Sequence, residues 1–448
     1  MAALLTSLAQ YLYFKGWRQV TSEHFLETEW PKPQAVEPLV SAHHGFMLLY
    51  NELCTRHIFM HGQPGLLHRF ESWTGYRALF DLFLEGKVGL RVPADWRNDL
   101  IDEFLFQWGF FHAFRHQCGE DKDAVEVLVN SPNVWKTATV LSYLQSFYAT
   151  LPEFKTVALV GMCRVHCMLC DYRQALRVLD PVDLDDQRSD MFQLPSCTLS
   201  LLYHLGFAYF MSRRYSDALG VLSRALVGTR VTKDSAASFA EDQIVSKYDK
   251  MLSLAALCVV LCPGLHADEQ VRRMIADKLD KAFGRDASKM DHFAAGELFA
   301  SAAPRFVNPA MPNYAAGVNG QAELTATQRR WFLAEVTNQL AMPNVLAILK
   351  LYASIPVGKL SRFCNVDAEA LKQALISLKC RNSQLVRAGD GSPPISGARA
   401  FICDVNFSVH HGDMVVVSCE DPPAKFAKFF ANNALEFIGI SEDLASKF

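Results

Sequence analysis

One pattern limits what this chain can fold into more than any other: a helical hairpin written twice, at Leu159–Leu179 and at Leu202–Leu222. The second helix of the first copy opens Asp171-Tyr172-Arg173-Gln174-Ala175-Leu176-Arg177-Val178-Leu179. In the second copy the matching run is Arg214-Tyr215-Ser216-Asp217-Ala218-Leu219-Gly220-Val221-Leu222. The tyrosines lie 43 positions apart, and Ala, Leu, Val and Leu recur in step. Ahead of them Leu159, Met162, Cys163 and His166 fall in register with Leu202, Leu205, Gly206 and Tyr209, an i, i+3, i+4, i+7 stripe each time. A small Ala beside Leu lets two helices approach closely. One hairpin cannot cover its own apolar stripe, so it must stack on a neighbour. The spacing is that of helical solenoids, roughly 34–47 residues. The expected fold is therefore mainly α, a TPR-like helical-repeat solenoid, and such a body is an interaction surface before it is a catalyst.

Half of the 448 residues are hydrophobic, which allows a large core and excludes global disorder. A formal charge of −3 gives no overall attraction to nucleic acid or acidic lipid, so any such contact must be local. The 12 cysteines are scattered within apolar helical patterns, as at Cys258 and Cys262, which reads as reduced thiols in a cytoplasmic protein. Met1–Phe14 is apolar but lacks a basic leader and a small-residue cleavage site, so no signal peptide is expected. Met251–Cys262, an apolar run ended by Pro263, falls well short of the ~20 residues that span a bilayer. No membrane contact is expected.

Residues 1–150 read as an N-terminal region of irregular helices with aromatic anchors. Trp96, Leu100, Phe104 and Trp108 repeat at i+4 after Pro93, with Asp95 as the expected N-cap. Residues 151–302 hold the repeats. An acidic loop from Asp180 to Pro195 separates the two hairpins, and helical patterns continue through Tyr248–Leu261 and Gln270–Ala282. Residues 303–342 read as a linker and connecting helix, because Pro304, Pro309, Pro312, Gly317 and Gly320 mark Ala303–Gln321 as an ordered-to-flexible joint rather than a domain. In residues 343–420 three helices, Val345–Ser354, Pro356–Phe363 and Asp367–Asn382, precede strand-like runs at Leu385–Arg387, Ala400–Ile402 and Met414–Val417. Three short helices and then a β-hairpin or three-strand meander is the layout of a winged helix. Residues 421–448 carry a C-terminal amphipathic helix, Ala424–Ile438, with Phe426, Phe429, Phe430 and Phe437.

Cys163, His166, Cys167 and Cys170 are metal-capable and would share one helix face. Along a single helix the outer pair would stand about 10 Å apart, too far for one tetrahedral ion. The in-register residues of the second copy are Gly206, Tyr209, Phe210 and Arg213, which pack or face solvent. His57 with His61 and His112 with His116 are i, i+4 pairs lacking the Glu of a zinc-protease helix. Gly86-Lys87 and Gly358-Lys359 lack the upstream glycine of a phosphate loop, and no nucleophile sits in a recognisable elbow. No catalytic, cofactor-binding or metal-binding residue is assigned, and no enzyme is expected. The winged helix offers Lys372, Lys379 and Arg381 on its third helix, offset by Asp367 and Glu369. That weak charge footprint favours packing against a protein over reading DNA.

Helical hairpins leading into a terminal winged helix resemble the PCI-domain scaffold family, found in the proteasome lid, the COP9 signalosome and eukaryotic translation initiation factor three. Five runs, Ile101–Phe104, Val165–Ala175, Gly206–Tyr215, Pro304–Tyr314 and Leu349–Leu360, look like the L-subunit family of that initiation factor, in the family's order. The N-terminus reads as short for this family, and Ser392-Pro393-Pro394 reads as an insertion in the wing, so nothing is carried over for those two regions. The resemblance implies a non-catalytic scaffold subunit supporting assembly of the factor on the small ribosomal subunit, with no cofactor. It further implies that the winged helix joins a line of PCI neighbours edge to edge. The terminal helix would enter a shared bundle, with the K subunit closest and the E subunit nearby. The alternatives are a PCI subunit of a sister complex, or a winged helix contacting RNA weakly through Lys372, Lys379 and Arg381.

Overall fold

The computed structural model describes residues 30–419 except 41–42, 88–91, 185–193, 234–238, 263, 266, 284–291, 315–318, 341–342, 390, 404 and 411–412. After a single helical turn at Pro33–Val36 come α1 (His44–His61), α2 (Leu66–Leu84), α3 (Ala94–Gln117), α4 (Lys122–Asn130) and α5 (Thr137–Thr150). These helices are regular rather than irregular. Helix α3 starts directly after Pro93, which places Asp95 inside its first turn instead of at the cap. Leu100, Phe104 and Trp108 are fully buried along it, the Phe104 ring lying against Trp73, Tyr76 and Trp135.

The repeats follow as α6 (Lys155–Met168) with α7 (Tyr172–Val178), and α8 (Pro195–Met211) with α9 (Tyr215–Lys233). Both hairpins turn by the same device. In the first, Cys170 adopts a left-handed backbone (φ 63°), while the Asp171 N–H donates to His166 O at 2.9 Å and the Cys170 N–H to Cys167 O at 3.1 Å. In the second, Arg213 takes φ 57°, with Arg214 donating to Tyr209 O at 2.9 Å and Arg213 to Phe210 O at 3.1 Å. These paired bonds form a Schellman cap, which satisfies the last carbonyls of the first helix and reverses the chain. The 43-residue spacing is thus a repeat of backbone geometry as well as of apolar residues. Within the second hairpin Gly206 lets α9 come close, since a Cβ there would meet Leu222 Cγ at 2.8 Å.

Helices α10 (Phe239–Leu261), α11 (Glu269–Phe283), α12 (His292–Ala302) and α13 (Gly320–Leu340) extend the stack. One core runs from Leu49 to Val336 without a break at residue 150. Ala303–Tyr314 opens the segment expected as an ordered-to-flexible joint, and this part of it is ordered by packing. It is an extended strap laid over α3 and α6, with Phe306 and Val307 buried. The Val307 N–H donates to Met168 O at 2.8 Å, and the Arg115 guanidinium donates to Pro309 O and Ala310 O at 2.9 and 2.8 Å. Prolines suit this path because an extended segment has few ladder donors to lose.

The C-terminal part is α14 (Pro343–Leu349), β1 (Ser354–Pro356), α15 (Val357–Cys364), α16 (Ala368–Asn382), β2 (Ser383–Val386), β3 (Ala398–Phe401), β4 (Val405–His410) and β5 (Met414–Cys419). Helix α14 stops at Leu349, earlier than the expected Ser354. Ser354 instead pairs with Val416, and Pro356 biases Ile355 toward extended backbone. The sheet is antiparallel in the order β1-β5-β4, the layout of a winged helix. Of the two expected layouts, a β-hairpin or a three-strand meander, the meander is corrected: among the described residues β2 and β3 pair with each other as a separate hairpin, while β4, which no strand-like run marks, takes the place beside β5. Val345, Leu349, Ile355, Leu360, Leu371, Leu375, Leu378, Phe407 and Val415 form a core of their own. The segment expected to form a C-terminal amphipathic helix, with Phe426, Phe429, Phe430 and Phe437, falls outside the described residues, as does most of the acidic loop.

Candidate partner-binding surface on the winged helix

The β2–β3 ribbon decides how the winged helix is held. Its tip, which contains Ser392-Pro393-Pro394, lies on the second repeat hairpin. There the side chain of Arg214, at 4 % exposure, donates to Pro394 O and Ile395 O at 3.0 Å and to Ser396 O at 2.8 Å. Asp217 pairs with Arg214 at 2.6 Å and accepts from the Arg387 N–H at 3.1 Å, while Tyr209 Oη donates to Pro394 O at 2.9 Å. The Ser216 N–H donates to Gln384 Oε1 at 3.2 Å, so the first turn of α9 is capped by a residue of β2. Ile395 and Ile402 pack against the main core. In the first repeat the position of Arg214 is held by Asp171, which stays within its own hairpin, accepting from the Gln174 N–H at 3.2 Å and facing His166 at 3.9 Å. The two copies share a turn, and one of them has been adapted as a socket.

The three basic residues nominated from the sequence do not form a common outward stripe. Lys372 bridges Glu369 and Asp413, each at 3.1 Å, and these carboxylates, Asp413 foremost, hold its pKa above the ordinary lysine value. Lys379 Nζ donates to Phe407 O at 2.6 Å and stands 5.7 Å over that ring, occupying a carbonyl of β4. Arg381 turns inward to α13, where it donates to Glu335 O at 3.2 Å and pairs with the Glu335 carboxylate at 3.4 Å. What the winged helix shows outward is apolar instead: Leu351 at 79 % exposure, Ile376 at 63 % and Phe363 at 51 %. Tyr352 and Phe363 stack at 6.3 Å beneath the Lys359 ammonium. Ile376 was findable in the sequence, because it stands off the Leu371, Leu375, Leu378 stripe that the helix buries.

The metal-capable residues are engaged elsewhere. Helix α6 ends at Met168, so Cys170 is not on one helix with Cys163, and the Cys167 thiol donates to His204 O at 3.4 Å. His112 is held between Trp135 O at 3.1 Å and Arg115 at 2.9 Å, and His116 faces Asn308 O at 3.3 Å. Among the described residues no group of three or more His, Cys, Asp or Glu is placed to hold a metal ion. Burial pushes the Cys54 and Cys262 thiols up to about 11 and Cys197 to about 12, the opposite of nucleophile activation. Among the described residues no helix is long and apolar enough to cross a membrane.

The profile of a family described as "RNA polymerase I-associated factor PAF67" matches residues 68–152 and 151–437. The chain is 30% identical over 470 residues to "Eukaryotic translation initiation factor 3 subunit L" of Nematostella vectensis, covering 97% of this chain and 88% of that protein. It is 30% identical over 485 residues to the protein of the same name from Anopheles gambiae, with 97% and 88% covered. The Homo sapiens protein of that name is 28% identical over 471 residues, with 97% and 83% covered.

Proposed function

The chain belongs to the family of subunit L of eukaryotic translation initiation factor 3, and from that premise we propose that it is a non-catalytic scaffold subunit of this factor. The observation that carries the reading is the socket on the second repeat, which bolts the winged helix to the solenoid through Arg214 and Asp217 and so fixes the direction in which the wing points. A scaffold needs such rigidity, because partners on the wing and on the solenoid must be held at one relative position. Leu351, Phe363 and Ile376 supply apolar area for a protein partner, and Lys372, Lys379 and Arg381 are engaged within the chain. On this reading the protein acts in the cytoplasm without a cofactor. The K and E subunits are its nearest neighbours, and it meets the small ribosomal subunit as part of the assembled factor.

Affinity capture of the tagged full-length chain followed by mass spectrometry tests the proposal. The expected result is recovery of other subunits of the factor together with small-subunit ribosomal proteins. Recovery of proteasome-lid or signalosome subunits in their place overturns it. Phe429→Asp with Phe430→Asp is expected to release the chain from its partners while leaving its thermal unfolding unchanged, if the terminal segment docks in a shared bundle.

A further inference from the structure

Away from the winged helix, one ridge of α3 presents Asp102, Phe106 and Phe110 at successive four-residue steps. Phe106 is 40 % exposed, and its ring lies 4.2 Å from that of Phe110. The Arg305 guanidinium, delivered by the strap, stacks over Phe110 at 3.7 Å from the ring centre. At the other end of the ridge Arg164 of α6 pairs with Asp102 at 2.7 Å. Lys247 and Lys250, one turn apart on α10, complete the group. Helices α3, α6, α8 and α10 lie side by side, each packed on the next, so the cluster sits over the buried α8.

These cations crowd one another. Burial, then Arg305, Lys247 and Arg164, hold the Lys250 pKa below the ordinary lysine value. Lys247 is lowered by burial, with Asp102 opposing and Arg164 adding to the effect. Among the described residues Lys247, Lys250 and Arg305 have no ion-pair partner; Asp102 is already bonded to Arg164, and Asp99 is the other carboxylate that acts on Lys247. A structural cluster of charge would carry its counter-ions with it. Among the described residues this one has four cations to two carboxylates, Asp99 and Asp102, beside a half-open aromatic face, which is the combination that takes phosphates and a stacked base together.

We propose that the ridge of Phe106 and Phe110, with Arg164, Lys247, Lys250 and Arg305, is a binding surface for single-stranded nucleic acid. The phosphates sit on Lys250 and Arg305, with Lys247 adding positive charge from beneath, and a base stacks on the exposed face of Phe106. An acidic peptide would use the cations but gain little from a flat ring, and a duplex offers no free base.

The test is fluorescence anisotropy of a labelled twelve-nucleotide oligouridylate with the full-length chain across a salt series. Lys250→Ala with Arg305→Ala is expected to flatten the salt dependence by about 1.4 in log–log slope, two cations at roughly 0.7 each. Phe106→Ala is expected to weaken binding roughly tenfold with the slope unchanged, and Phe106→Leu, which keeps the apolar bulk but not the flat face, to weaken it similarly. Unaltered thermal unfolding of the variants ties these losses to the surface. Affinity unmoved by all the variants, equal affinity for a duplex of the same charge, or displacement by an equally charged polyglutamate peptide at the same concentration overturns the proposal.

Discussion

Arg214 shows how much one side chain settles in this protein. Its guanidinium is buried, paired with Asp217, stacked on the Tyr209 ring at 4.7 Å and donating to three carbonyls of the ribbon tip. Removing it leaves a buried carboxylate and several acceptors without partners, so Arg214→Ala is expected to cost about 3–5 kcal/mol in chemical denaturation. Arg214→Lys recovers little of that, because an ammonium cannot present the planar fork. Gly397 is part of the same fit, since a Cβ there would meet Val386 O at 2.9 Å and Arg214 Nη2 at 3.2 Å. His112 sets a pH dependence. Its ring donates to Trp135 O and accepts from Arg115, which fixes a neutral tautomer, and burial together with Arg115 pushes its pKa down to about 3. The unfolded chain takes up this proton below the ordinary histidine value, about 6.5, and the folded chain does not, so stability falls as pH drops from there toward 3. His112→Gln keeps a donor and an acceptor, and is expected to make the fall in urea stability between about pH 6 and pH 4 shallower by about 1.4 kcal/mol per pH unit.

Among the elements, the two hairpins were legible and the ribbon was not. The apolar stripes of α6 and α8 and the tyrosine spacing are local signals, and both helices and both turns follow them. The pairing of Gly206 with Leu222 extends this to packing distance. Gly206→Ala gains helix propensity of about 1 kcal/mol, but overpacking costs about 1–3, so a net loss of stability is expected. Combined with Leu222→Ala the loss should be smaller than the sum of the single variants, as a double-mutant cycle would measure. The β2 and β3 strands are four residues each, too short for alternation to reveal a partner. Nothing local says that they turn back to α9 rather than extend the wing. The same holds for the strap, where prolines and glycines signal irregular backbone but not whether it packs.

At the scale of the whole molecule, the wing has its own core yet is tied to the repeats by the ribbon, by Arg381 on α13 and by Cys262, whose thiol faces Asn382 at 3.6 Å. Solenoid and wing are therefore expected to unfold in one calorimetric transition. Replacing Arg387–Gly397 with a two-residue Asn-Gly turn removes the largest tie, and the expected outcome is two resolved transitions in place of one. A single transition at unchanged temperature would show that the ribbon contributes no coupling.

By itself, the sequence determined the helical repeat, its 43-residue period, the reversal at each hairpin and the presence of a winged helix, because apolar periodicity and capping act between residues a few positions apart. Tertiary structure alone decided where the ribbon docks, that Arg381 is spent on Glu335, and that Arg164, Lys250 and Arg305 gather beside Phe106 and Phe110. The physical reason is separation along the chain. Arg214 meets Pro394 across 180 residues, and Arg115 meets Ala310 across 195. At such distances a cation's surroundings depend on the path of the whole solenoid, which no local pattern records.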